Sequence, residues 1–138
     1  MTVGIKIDGV LSEIGSAEFF SAFFSTISYR LEAGRWGEKF PMIMNELYQG
    51  KLLAENAGNA LQKLESITVE LSKFSPEKVV WDIDNLETRP PWGDNISDEI
   101  TDLSNYFVTS TGRDLIVTIQ ENIEALKTRG SFIEVVTY

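Results

Sequence analysis

Lys78-Val79-Val80-Trp81-Asp82-Ile83 decides the reading of the fold, because no other run in the chain is as dense in branched and aromatic residues. It predicts a buried central strand, with Trp81 in the core. Beyond it the chain enters a loop, Arg89-Pro90-Pro91-Trp92-Gly93, that reads as exposed. Between Asp82 and Asp102 there are seven carboxylates, Asp82, Asp84, Glu87, Asp94, Asp98, Glu99 and Asp102, against one base, Arg89. An acidic rim with an aromatic tip suits a basic protein partner, since charges steer encounter and aromatics anchor the contact.

Upstream, Thr2 to Ile7 alternates, with Val3, Ile5 and Ile7 on one face, as a half-buried strand does. Asp8-Gly9 then marks a turn. Ser16, followed by Glu18, is a helix cap, and Phe19, Phe20, Phe23, Phe24, Ile27 and Leu31 recur at the spacing of a core-facing helix that stops near Ala33-Gly34. Arg35-Trp36-Gly37 continues as an irregular turn. A shorter helix is expected from Pro41 to Tyr48, closed by Gly50. A longer one follows from Ala54 to Lys73, striped by Ala57, Leu61, Leu64, Ile67 or Thr68, and Leu71 and ended by Ser75-Pro76.

Downstream, Ser97 with Asp98, Glu99 and Ile100 predicts a short helix whose acidic first turn complements the helix dipole. Tyr106-Phe107-Val108 reads as a brief extended segment. Thr111 is expected to cap a helix through about Lys127, with Leu115, Ile116, Ile119, Ile123 and Leu126 inward and Gly130 as its stop. Phe132 to Val136 closes the chain as a strand. The order of strand, helices, strand, helices, strand gives an α+β fold of α/β-like character. We expect a small three-stranded sheet, mixed or parallel, with about five helices packed on it, and a single domain over residues 1–138.

Composition narrows the function classes. The chain has 138 residues, 43% of them apolar, enough for one core. Its net charge of −9 argues against direct binding of nucleic acid or an anionic membrane, both of which demand a Lys/Arg footprint. Cysteine and histidine are both absent, which removes thiolate chemistry, the commonest general base and the commonest zinc ligand. The N-terminus lacks the pattern of a secretory signal, and Ser16 to Leu31 falls short of the roughly 20 apolar residues of a membrane span. The expectation is a cytoplasmic protein.

Few residues suggest catalysis. Asp82 and Asp84, at the end of the expected strand, have the one spacing that suits a divalent cation, but no phosphate-cradling glycine loop accompanies them. The glycines form neither a dinucleotide fingerprint nor a Walker loop, so no cofactor is expected. Ser110-Thr111-Gly112-Arg113 before a helix could bind an anion at the helix N-terminus, but capping by Thr111 accounts for those residues without a ligand. Two roles fit Trp36 and Trp92 in their glycine-flanked loops: lids folded back on the sheet, or, for Trp92 stiffened by Pro90 and Pro91, an interface anchor. The candidate partner contacts are therefore Trp36, Asp84, Glu87, Trp92, Asp94, Asp98, Glu99 and Asp102.

Several segments taken together carry a family resemblance: Gly34-Arg35-Trp36-Gly37, Phe40-Pro41, Glu46-Leu47-Tyr48-Gln49-Gly50-Lys51-Leu52, Val79-Val80-Trp81-Asp82-Ile83, Pro90-Pro91-Trp92-Gly93 and Tyr106-Phe107-Val108-Thr109. In these, over nearly its whole length, the chain resembles the immunity protein 70 family of bacterial polymorphic-toxin systems. The resemblance implies a small cytoplasmic antidote, not an enzyme, that binds the C-terminal domain of a cognate toxin. Toxins of such systems are often nucleases with basic clefts, which agrees with the acidic charge. The family supplies no catalytic residues to carry over, and it leaves a homodimer open. The competing readings are a small magnesium-dependent enzyme using Asp82 and Asp84, and a homo-oligomeric adaptor.

Overall fold

Asp8 and Gly9 both sit at positive φ, 47° and 81°, the backbone that a two-residue turn between antiparallel strands requires. They join β1 (Thr2–Ile7) to β2 (Val10–Ser16), paired from Ile7↔Val10 to Thr2↔Ser16 with a bulge at Val3/Gly4. The computed structural model describes residues 1–138. After the hairpin come α1 (Ala17–Leu31), a π-helix (Met42–Leu47), β3 (Lys51–Leu53), α2 (Ala57–Leu71), α3 (Leu115–Arg129) and β4 (Phe132–Thr137), with short 3-10 turns at Ala54–Asn56 and Pro76–Lys78.

The α+β class is as expected, but the sheet is not. It has four strands in the order β2-β1-β4-β3, and every pairing is antiparallel. Two strands, β2 and β3, were not anticipated. In β2 the exposed Val10 and Leu11 and the interrupting Gly15 blur the alternation, while β3 has only three residues. In place of about five helices there are three α-helices and the π-helix.

The segment expected to be the central strand is in no sheet. Val79, Val80 and Trp81 are buried, yet their backbone runs along α1 and bonds to its side chains. The Thr26 hydroxyl accepts from the Val80 N–H at 3.0 Å and shares its own proton between the Ala22 carbonyl at 2.8 Å and the Val80 carbonyl at 3.1 Å. Ser25 Oγ accepts from the Ile83 N–H at 3.3 Å, and Arg30 Nε donates to the Lys78 carbonyl at 2.9 Å. Buried hydroxyls on α1 thus satisfy backbone groups that a strand partner would otherwise take.

The helices lie on the sheet face that carries Val3, Ile5, Ile7 and Ile133, with α1 and α3 against β1 and α2 packed on both helices. Phe20, Phe23 and Phe24 are fully buried between the layers, each contributing on the order of 2–3 kcal/mol of transfer free energy. Ser16 caps α1 as expected, accepting from the Phe19 N–H at 3.1 Å. The cap of α3 is Asp114, which accepts from the Val117 N–H at 3.1 Å, rather than Thr111, whose hydroxyl pairs with that of Thr109. No helix is long and apolar enough to cross a membrane.

Candidate partner-binding surface

Residues 79–114 form no helix or strand beyond one isolated bridge, Val108↔Asp114. The helix expected at Ser97 is absent. Asn105 organises this stretch instead: its carbonyl oxygen accepts from the Thr101 and Asp102 N–H groups at 3.1 and 3.2 Å, and its amide donates to the Glu99 carbonyl at 3.1 Å. Such local side-chain bonds compete with helix formation. Leu103, fully buried, ties the loop inward through its N–H to the Phe74 carbonyl at 3.0 Å.

Trp92 is fixed from two sides. Its ring meets Trp81 edge-on at 5.2 Å between centroids, and its indole N–H donates to the Tyr106 hydroxyl at 2.9 Å. Tyr106 packs edge-on against Phe107, which packs on Phe23 of α1. Through Phe24 and Tyr48 the ring contacts continue to Trp36. The two loop tryptophans therefore end a chain of aromatic contacts that crosses the core. Trp92 remains 38% exposed, a lid on Trp81 that still shows a face to solvent.

The acidic residues separate into exposed and internally engaged groups. Asp84, Glu87, Asp94, Asp98 and Glu99 are exposed. Asp94 faces Arg89 at 3.8 Å, with their side chains 93% and 54% exposed, so that pair is worth little. Asp102 is half-buried and holds a turn, accepting from the Ser104 N–H at 2.8 Å, the Ser104 hydroxyl and the Thr101 hydroxyl. Burial raises its pKa, but these hydrogen bonds outweigh it and hold the carboxyl below the usual range. Asp82 and Asp84 do not share a strand face. Asp82 accepts from the Asp84 N–H at 2.9 Å in a tight turn, and no group of three or more potential metal ligands converges anywhere in the chain.

Two hollows flank a wall made by Ile96 and Tyr106. One, of about 230 Å³, is mainly apolar, lined further by Phe19, Trp92, Ile100 and Val108 and by the polar Asn95 and Ser97. The other, of about 200 Å³, is bordered by Glu77, Arg89 and Asp94. These residues, apart from Arg89, Trp92 and Asp94, were not anticipated as surface features; Ile96 and Ile100, apolar residues inside an acidic loop, are the signal that could have found them. A larger groove of about 950 Å³ lies between α2 and α3. Seven of its ten lining residues are polar or charged, and Glu65 and Glu124 beside Lys127 leave it no dominant charge.

Trp36 sits apart from this surface, in a loop built on Glu32. That carboxylate is 5% exposed and accepts three backbone N–H groups, from Gly37 at 3.0 Å, Lys39 at 3.0 Å and Phe40 at 2.9 Å. Nothing in the spacing of the sequence marked Glu32 for this work.

No curated protein and no solved structure matches the chain. The family model described as Immunity protein 70 matches residues 5–135, almost the whole sequence and the same stretch that builds the sheet, the helices and the Trp92 loop. The chain belongs to the immunity protein 70 family.

Proposed function

We propose that this protein is a cytoplasmic antidote, one domain over residues 1–138, that binds and neutralises a cognate toxin domain without catalysing a reaction. Family membership supports binding to a toxin protein. The observation that carries the finer reading is the exposure of Asp84, Glu87, Asp94, Asp98 and Glu99 in the same stretch of chain as a Trp92 held by Trp81 and Tyr106. Clustered carboxylates of one sign attract a basic cleft, of the kind a nuclease-type toxin uses for nucleic acid, and a pre-positioned aromatic lowers the entropy lost on contact. The antidote either fills that cleft or binds beside it and blocks access.

The test is co-expression with the C-terminal domain of the adjacent large open reading frame, followed by co-purification. Rescue of growth with a stable complex supports the antidote reading. A neighbouring domain that is harmless, or that stays toxic and unbound, overturns it for that pair.

A further inference from the structure

We propose that the two hollows on either side of the Ile96–Tyr106 wall are paired sockets for a basic segment of the toxin domain. An apolar side chain enters the hollow beside Trp92, and a neighbouring lysine or arginine enters the hollow beside Asp94, displacing Arg89. The inference rests on the antidote reading and names the chemistry of its contact.

The first hollow, about 230 Å³, is smaller than the roughly 300–1,000 Å³ of small-molecule sites, so its size matches a single side chain. Its lining is rigid: Phe19 is 8% exposed, and Trp92 and Tyr106 are locked to each other by the 2.9 Å hydrogen bond. Val108, which also lines the hollow, is exposed to solvent. An apolar side chain seated here gains burial against aromatic surface without a rearrangement of the loop.

The second hollow shares Ile96 and Tyr106 with the first, so one partner segment reaches both. Its carboxylates are Glu77 and Asp94. Arg89 is the single base between Asp82 and Asp102, and it meets Asp94 at 3.8 Å, close to the outer limit of an ion pair, with both groups largely in water. Arg89 occupies the place of the partner's cation. A pair so weakly held exchanges readily for a lysine or arginine brought in beside a buried apolar anchor, whose stem lies along the apolar wall.

An interface of this kind has an unusual consequence: removing a base of the antidote that contacts no partner group strengthens the complex. The experiment measures the affinity of the full-length antidote for the toxin domain of the adjacent reading frame. Arg89→Gln is expected to lower Kd about three- to tenfold, and this gain is expected to vanish in an Asp94→Asn background, as it does for residues that act on one another. Val108→Arg, at an exposed position, is expected to raise Kd at least tenfold by obstructing the apolar socket. Val69→Arg, on exposed α2 surface, is the control and is expected to leave Kd unchanged. A complex indifferent to Val108→Arg, or an Arg89→Gln gain that persists in full with Asp94→Asn, overturns the sockets and leaves the antidote reading standing. Absence of any complex with the unmodified protein overturns both.

Discussion

The indole N–H of Trp92 donates to the hydroxyl of Tyr106 at 2.9 Å, so the aromatic at the tip of the acidic loop is positioned by a residue from the far side of that loop. Tyr106 is itself buried against Phe107 and, through it, α1. The orientation of Trp92 is thus a property of the core as much as of the Pro90-Pro91 loop.

Tyr106→Phe removes the acceptor and leaves the ring. Since Trp92 is partly solvated, the cost is about 1 kcal/mol, read as a lower urea midpoint with a shifted tryptophan emission. Burial also pushes the Tyr106 phenol above its ordinary value of 10.0; Asp94 adds to this, while the Trp92 bond and Arg89 oppose it. The folded chain therefore holds that proton more tightly than the unfolded chain. This contribution to stability is complete below pH 10 and is lost as pH rises through the folded-state value. The alkaline loss of Tm should be shallower in Tyr106→Phe.

Glu32→Gln keeps the side-chain shape but replaces one acceptor oxygen by an N–H donor facing a backbone N–H. The expected cost is about 2–3 kcal/mol, measured by urea denaturation, with altered emission from Trp36 in the loop that Glu32 holds. A change below 0.5 kcal/mol, the usual bound for a neutral surface substitution, would contradict the assigned role.

Thr26→Val, nearly equal in volume, strands the Val80 N–H beside α1. We expect about 1–3 kcal/mol of destabilisation and faster amide exchange over Val79–Ile83, since the segment has no sheet partner to hold it.

Asp102→Asn tests the turn on Asp102. The folded-state pKa lies below the ordinary 3.8, so the carboxylate's contribution is present above pH 3.8 and fades as pH falls through the lower folded value. The variant should melt earlier than the wild type near neutrality, and the two curves should converge in acid.

Reversing Asp94, Asp98 and Glu99 to lysine should slow association with the toxin domain by about tenfold or more at low salt, and by less as salt is raised. Reversing Glu65 and Glu124 in the α2–α3 groove should change the rate far less.

How much of this was legible in the sequence depended on range. The Phe19-to-Leu31 stripe, the Ser16 cap and the Gly130 stop are local signals, and all three appear as expected in the structure. The burial of Val79, Val80 and Trp81 was legible too, but not their partner: density in branched and aromatic residues reports burial, and a buried extended segment looks the same whether its backbone pairs with a strand or with Thr26 and Ser25. The Asp8-Gly9 turn was seen without the hairpin it closes. At the candidate surface, the exposed carboxylates follow from composition, whereas the internal use of Asp102 and the hollows beside Trp92 depend on contacts from Phe19, Asn105 and Tyr106 that no spacing encodes.

The anchorage of residues 79–114 bears on how such a protein diversifies. That stretch hangs on α1 through hydroxyls and an arginine, on β2 through the Ser110 N–H to the Ile14 carbonyl and on the core through a few buried rings, and it ends in the Asp114 cap of α3, while none of its residues adds a strand to the sheet. Substitutions at its outward positions that carry no cap, turn or tether are expected to leave strand register and helix packing unchanged. On the proposed reading, a lineage facing a changed toxin would revise this contact surface residue by residue on an inherited scaffold, with the mutational load falling where folding is least sensitive to it.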